Sequence, residues 1–170
     1  MVKNKIDHIP SIKKMLAPYN PWWESGEVKA EPFKRPVFHK IYKDLLSLKQ
    51  IISITGPRRV GKTTLLKQII QSLIHDGHAK PAEIIYFSFD EPLLSEPHLG
   101  ERFFDELMQW TDLTHKNNTV YLFFDEIQKF ERWELYLKNI MILDSQLNLL
   151  SPVPPLLPYS GKAAKVYWAG

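Results

Sequence analysis

Cysteine is absent from all 170 positions, which rules out disulfides, thiolate zinc centres and cysteine nucleophiles. No apolar run approaches the ~20 residues that a membrane-spanning helix needs. The N-terminus mixes Lys, Asp and His with apolar residues and has no secretory core, so the expectation is a cytoplasmic protein with no membrane partner. Charge of one sign is also scarce. The net charge is +3, and although Lys3, Lys5, Lys13 and Lys14 make the first residues basic, they form no block. Nucleic acid stays open as a partner but unsupported; solvated surface is the plainer reading. The six histidines show no ligand spacing, and there is no internal repeat.

What is present is a globular composition, 44% hydrophobic and 24% charged, on a chain long enough to bury one core. Residues 1–36, broken by Pro10, Pro18, Pro21, Pro32 and Pro36, read as an irregular or weakly helical lead-in. A helix fits Val37–Leu48, with Pro36 in a first-turn position. Ile51–Ile54 reads as a buried strand, and a helix follows from Lys62 to Asp76. Leu65, Leu66, Ile69, Ile70, Leu73 and Ile74 form its stripe, and Gly77 sits just past its end. Strands at Ile84–Phe89 and Val120–Phe124 flank a helix carrying Phe103, Phe104, Leu107, Met108 and Trp110. Trp133–Leu143 reads as a further helix. Strands alternating with helices predict an α/β parallel sheet.

The segment Gly56-Pro57-Arg58-Arg59-Val60-Gly61-Lys62-Thr63 spells G-x-x-x-x-G-K-T, with Thr64 after it. Two glycines let the backbone wrap closely enough for its N–H groups to face phosphate oxygens, and the helix that follows presents its N-terminus to the anion. Lys62 is expected to reach the β- and γ-phosphates, and the Thr63 hydroxyl to ligate Mg2+. The strand before and the periodic helix after are the context that this loop requires. Arg58 and Arg59 allow two readings: they screen phosphate charge, or they pair with nearby acids.

Val120–Phe124 runs into Asp125-Glu126, a buried strand that delivers two carboxylates to the C-terminal edge of the sheet, where α/β sites lie. Asp125 is expected to hold Mg2+ through water. Glu126 is placed to orient or deprotonate an attacking water, which with Lys62 makes it a candidate catalytic residue. The competing reading is that an acid here caps the next helix. Asp90-Glu91 after the second strand either reaches the outer shell of the metal or ends the strand in solvent.

Taken together, these residues resemble prokaryotic AAA-type ATPases with a C-terminal domain of unknown function. The resemblance rests on Asn20-Pro21-Trp22-Trp23, on Ile54 to Thr64, on Tyr86-Phe87-Ser88-Phe89-Asp90, and on Phe124-Asp125-Glu126-Ile127-Gln128 through Trp133. It covers roughly residues 19–148. It implies a P-loop NTPase of the additional-strand type with sheet order 5-1-4-3-2, using ATP and Mg2+. It also implies that the lead-in packs beside the nucleotide base. Trp22 and Trp23 serve equally well as a hydrophobic clamp on the core.

The resemblance breaks near Leu149. The family pattern has Thr-Gly-Ser-Ser-Ser at the end of its fourth strand and then a Leu-Leu-Gly-Arg segment. This chain instead has four prolines between Pro152 and Pro158 and no acid after Asp144. Pairing the last base of each codon with the first two of the next, Ser151–Leu156 permits Thr or Ala, then Gly-Ser-Ser-Ser. Gly161–Gly170 likewise permits Lys-Ser-Arg-Glu-Ser-Leu-Leu-Gly-Arg, with Tyr167-Trp168 forcing the second Leu and Trp168-Ala169 forcing the Gly. Residues from about Leu150 onward are therefore expected to be out-of-frame translation, against the alternative of a genuine proline-rich linker.

The expected organisation is a lead-in (1–36), an incomplete P-loop ATPase core (37–149) and a non-native tail (150–170). The sheet is expected to be truncated after its fourth strand, with Leu147–Ser151 filling the slot between Ile51–Ile54 and Val120–Phe124 and with no fifth strand. The functional expectation is binding of ATP or another nucleoside triphosphate with Mg2+, with hydrolysis impaired. A nucleotide-dependent binding module without turnover and a small-molecule kinase are the alternatives. No protein partner is legible.

Overall fold

The computed structural model describes residues 9–48, 51–90, 99–115, 118–137, 147–152 and 164–169. Strand β1 (Ile51–Thr55) is buried along its whole length, so it needs cover on both faces and pairing on both edges. On one side it pairs in parallel with β4 (Leu147–Pro152), Ile51 opposite Leu149 and Ile54 opposite Pro152. β4 is in turn parallel to β3 (Val120–Asp125), with Val120 opposite Leu147. β3 pairs in parallel with β2 (Ile84–Ser88), Ser88 opposite Asp125. The order β2-β3-β4-β1-β5 is the expected 5-1-4-3-2 arrangement. The segment expected to fill the central slot does so, and Pro152, lacking an N–H, ends its ladder.

The expectation of a sheet truncated after the fourth strand is overturned. β5 (Ala164–Trp168) pairs in parallel with the free side of β1, from Ile51 opposite Ala164 to Thr55 opposite Trp168. The physical reason lies in β1: a strand so buried cannot leave a row of N–H and C=O groups without partners. Residues 164–168 are proline-free and carry the Val and aromatics that suit a strand. The tail does not lie loosely there. The Ala169 N–H donates to the Thr55 carbonyl at 2.8 Å, and the Tyr167 hydroxyl and Lys165 ammonium both bond Asp44. Val153–Tyr159, where no well-packed strand was expected, falls outside the described residues.

Alternation along the strands divides the interior into two layers. Ile51, Ile85, Phe87, Leu122 and Phe124 face one side, packed with α1 (Ile9–Leu16) and α5 (Leu99–Thr114). Ile52, Ile54, Ile84, Tyr86, Tyr121 and Phe123 face the other, packed with α3 (Pro36–Ser47) and α4 (Lys62–His75). Gly77, at φ 73°, closes α4, and the His78 N–H returns to the Leu73 carbonyl at 2.9 Å. The helix expected from Trp133 to Leu143 is helical over 133–137; its remainder is outside the described residues.

The lead-in is more regular than its prolines suggested. α1 is followed by a 3-10 turn (Ala17–Tyr19) and by α2 (Trp22–Ser25), which Gly26 closes at φ 73°. Pro10 falls in the first turn of α1 and Pro21 at the start of α2, where a helix tolerates a missing N–H. Ile12 and Leu16 are fully buried in the layer beneath α5. Among the described residues no helix is long and apolar enough to cross a membrane.

Candidate functional site

The loop from Gly56 to Thr64 joins the C-terminal end of β1 to the N-terminus of α4. Gly61 occupies the N-cap of α4 at φ 86°, a left-handed conformation that a residue with a Cβ adopts only under strain. The first N–H groups of α4 have no carbonyl one turn earlier to bond, so they face out of the helix end. Arg59 is also left-handed, at φ 65°. Lys62 reaches back over the loop: its Nζ donates to the Gly56 carbonyl at 3.0 Å and to the Pro57 carbonyl at 2.9 Å. The ammonium is therefore held above the loop that a phosphate would enter. Pro57, Arg58 and Arg59 are exposed, while Val60 and Thr64 are half-buried. The Val60 side chain lies 3.2 Å from where a Cβ on Gly56 would stand, so both glycines are needed for the loop to close as it does.

β3 brings Asp125 to the same point. The Thr63 hydroxyl donates to Asp125 Oδ2 at 2.6 Å, joining the loop to the acidic strand. Asp125 is 3% exposed, and its charge is met by three donors. Besides Thr63, the Tyr86 hydroxyl donates to Oδ2 at 3.1 Å and the Glu126 N–H to Oδ1 at 3.0 Å. Burial first, and then the Asp125 charge and hydrogen bond, push the Tyr86 phenol well above its ordinary range, so it stays a donor. Glu126 leaves the strand in a left-handed conformation, φ 52°, and its Oε2 accepts from Gln128 Nε2 at 2.7 Å. One hydroxyl and one carboxylate, both hard oxygen donors, are the ligand chemistry that magnesium prefers, and the pair fits such an ion.

The remaining acids and bases of the sequence reading separate. Asp90 is ion-paired with Lys129, which holds its carboxyl below the usual range with a weaker pull from Arg58. Asp90 thus ends its strand on an exposed pair and is not gathered at Asp125. Glu91 lies outside the described residues.

Three residues of this region escaped the sequence reading. Arg35 sends Nη1 to the Ala169 carbonyl at 2.6 Å and Nη2 to the Gly61 carbonyl at 3.4 Å, clipping the loop to the end of β5. No local pattern marks it, because the contact spans most of the chain. Tyr86 had a signal: a phenol on a buried strand must find a partner. Asn20 was noticed only as part of a motif. Its Nδ2 donates to the Leu16 carbonyl at 2.7 Å and the Tyr86 carbonyl at 2.8 Å, and its Oδ1 accepts from the Tyr86 N–H at 2.7 Å.

The tryptophans act as a clamp. Both indoles donate to the Ile84 carbonyl, Trp23 at 2.8 Å and Trp22 at 3.3 Å, and Trp22 is buried against Tyr86. A cavity of about 510 Å³ lies beside them, with Trp22, Lys29, Lys67, Tyr86 and Ser88 on its wall. The strap that follows runs along α4, where Gln68 Nε2 donates to the Glu31 and Phe33 carbonyls at 2.7 Å and Gln71 Nε2 to the Val28 carbonyl at 2.8 Å.

Residues 48–151 match the model of a family described as an AAA domain. An uncharacterized protein of Methanocaldococcus jannaschii is 32% identical over 140 residues, 79% of this chain and 27% of that protein. The chain thus spans about a quarter of the length of that curated relative. Among solved structures, the S. cerevisiae Hsp104:casein complex in its extended conformation superposes with a TM-score of 0.61 at 14% identity, over 89% of this chain and 29% of that one. C. elegans PCH-2 superposes with a TM-score of 0.58 at 16% identity, over 90% and 46%. At these identities the structural likeness is one of fold.

Proposed function

The chain belongs to the AAA domain family and is a nucleotide-binding, ATPase-type P-loop domain, and from that premise we propose that it binds ATP together with Mg2+ and hydrolyses it slowly. The observation that carries the reading is the 2.6 Å hydrogen bond between Thr63 and Asp125, which unites the loop and the acidic strand in one site. In this reading the N–H groups of the loop and of the α4 N-terminus take the phosphate oxygens, and Lys62 exchanges the Gly56 and Pro57 carbonyls for the β- and γ-phosphates. Thr63 would ligate the magnesium and Asp125 would hold it through water. When bound, the ion neutralises charge on the β- and γ-oxygens. Glu126 orients the attacking water and accepts its proton.

One contact favours slow turnover: the Gln128 amide donates to Glu126 Oε2 and competes there with a water, although the carboxylate keeps further lone pairs that can accept one. A binding module without turnover is the limit of the same reading. Residues from about Leu150 onward we read as out-of-frame translation that still furnishes β5, and the family match ending at residue 151 supports this. Coding DNA whose alternate frame does not spell Thr/Ala-Gly-Ser-Ser-Ser and Leu-Leu-Gly-Arg removes that part.

The test is titration with a fluorescent ATP analogue in excess Mg2+. Lys62→Ala deletes the cation aimed at the phosphates, and loss of a charge-assisted contact of about 1.5–3 kcal/mol weakens binding about 10- to 100-fold. An affinity equal to that of the parent sinks the proposal. Phosphate release in Glu126→Gln, with binding retained, separates hydrolysis from binding.

A further inference from the structure

Resting on the nucleotide reading above, we propose that Tyr86 is a positioning residue for the metal-binding carboxylate, and that the lead-in reaches the site through it. The register places Tyr86 opposite Phe123 and Ser88 opposite Asp125, so Tyr86 and Asp125 project from the same face of neighbouring strands, one pleat apart. From there the Tyr86 hydroxyl reaches Asp125 Oδ2 at 3.1 Å.

The geometry around Asp125 explains what that contact does. The Thr63 hydroxyl gives its single proton to Oδ2, which leaves its lone pairs free for a hard cation. For this to hold, the carboxylate must keep one orientation about its Cβ–Cγ bond. The Glu126 N–H pins Oδ1 from the adjoining residue, and the Tyr86 hydroxyl pins Oδ2 from the neighbouring strand. Without Tyr86 the only other donor to Oδ2 among the described residues is Thr63 itself, the group that the carboxylate is supposed to orient.

Tyr86 is in turn fixed at both ends. Its ring lies edge-on to Trp22, centroids 6.5 Å apart, and is 7% exposed. Its backbone N–H and C=O are both taken by the side-chain amide of Asn20. The path from the Asn20-Pro21-Trp22-Trp23 segment to Asp125 is therefore continuous and consists of direct hydrogen bonds. Partners of this kind behind a ligating carboxylate typically contribute about 10–100-fold to metal affinity.

The experiment titrates Mg2+ at a fixed concentration of the fluorescent ATP analogue and reads the magnesium midpoint, alongside analogue affinity in excess EDTA. Tyr86→Phe removes only the hydroxyl; the expected result is a midpoint raised about tenfold or more, with the EDTA affinity unchanged. Tyr86→Leu, which also removes the ring, is expected to shift the midpoint to a similar extent. A midpoint within twofold of the parent in Tyr86→Phe overturns the role of Tyr86 and leaves nucleotide binding standing. A shift in Tyr86→Leu with none in Tyr86→Phe assigns the effect to packing and overturns it too. A parent chain that binds no analogue at any magnesium concentration overturns the nucleotide reading, and this inference with it.

Discussion

The two outer strands of the sheet are finished in different ways. Along β2 the lead-in takes the place of a neighbouring strand: the Asn20 amide bonds the N–H and C=O of Tyr86, and two indoles share the Ile84 carbonyl. Along β5 the ties come from α3 and its approach: Asp44 holds Tyr167 and Lys165, and Arg35 holds the Ala169 carbonyl. The opposite face of β5 leaves Val166 and Trp168 more than half exposed, at 52% and 55%. Edges with free backbone groups template association, and proteins block them with covers, charges or bulges. Here the blocked edge is also the one whose Tyr86 reaches Asp125. The difference teaches that the lead-in does two jobs at once: it seals a strand and stiffens the site behind it.

Three substitutions probe that contrast. The largest effect is expected from Trp22→Ala, which empties a buried aromatic site and removes a bond to Ile84. A loss of about 3–5 kcal/mol should appear in denaturant unfolding. Asn20→Ala ranks second. It leaves the Tyr86 N–H and two carbonyls without their partner at a position 1% exposed, at a cost of about 1–3 kcal/mol per group that water does not reach. A net loss of about 2–3 kcal/mol is expected in the same measurement, and a loss below about 0.5 kcal/mol breaks the view of this edge as sealed by side chains. Trp168→Thr on β5 is expected to change stability by no more than about 0.5 kcal/mol while raising the soluble fraction on concentration, since it removes exposed apolar surface. A destabilisation as large as that of Trp22→Ala would mean that the two edges are built alike.

The parts of this fold that were legible in the sequence are those in which function and periodicity coincide. β1, the Gly56–Thr64 loop and α4 follow one another in a motif whose chemistry demands that order, and α4 begins at Lys62 and carries the expected stripe. β3 announced itself as an apolar run ending in two acids, and its meeting with Thr63 follows from that position. The central place of β4 was accessible by elimination, because leaving out a middle strand opens a gap of about 10 Å between its neighbours. α1 was only partly legible: the prolines of the lead-in left no more than an irregular or weakly helical expectation, and the burial of Ile12 and Leu16 under α5 makes it a helix. β5 was not legible. Ala164–Trp168 reads as an arbitrary tail until β1 is seen to have a free side.

By itself the sequence named the candidate residues, since phosphate cradling, metal ligation and water activation each demand particular atoms, and Lys62, Thr63, Asp125 and Glu126 offer them. Tertiary structure alone decided what holds those atoms in place. Asn20 reaches Tyr86 across 66 residues, Tyr86 reaches Asp125 across 39, and Arg35 reaches Ala169 across 134. Such contacts have no local signature, because a hydrogen bond depends on where two groups meet in space, and the spacing along the chain between them is arbitrary.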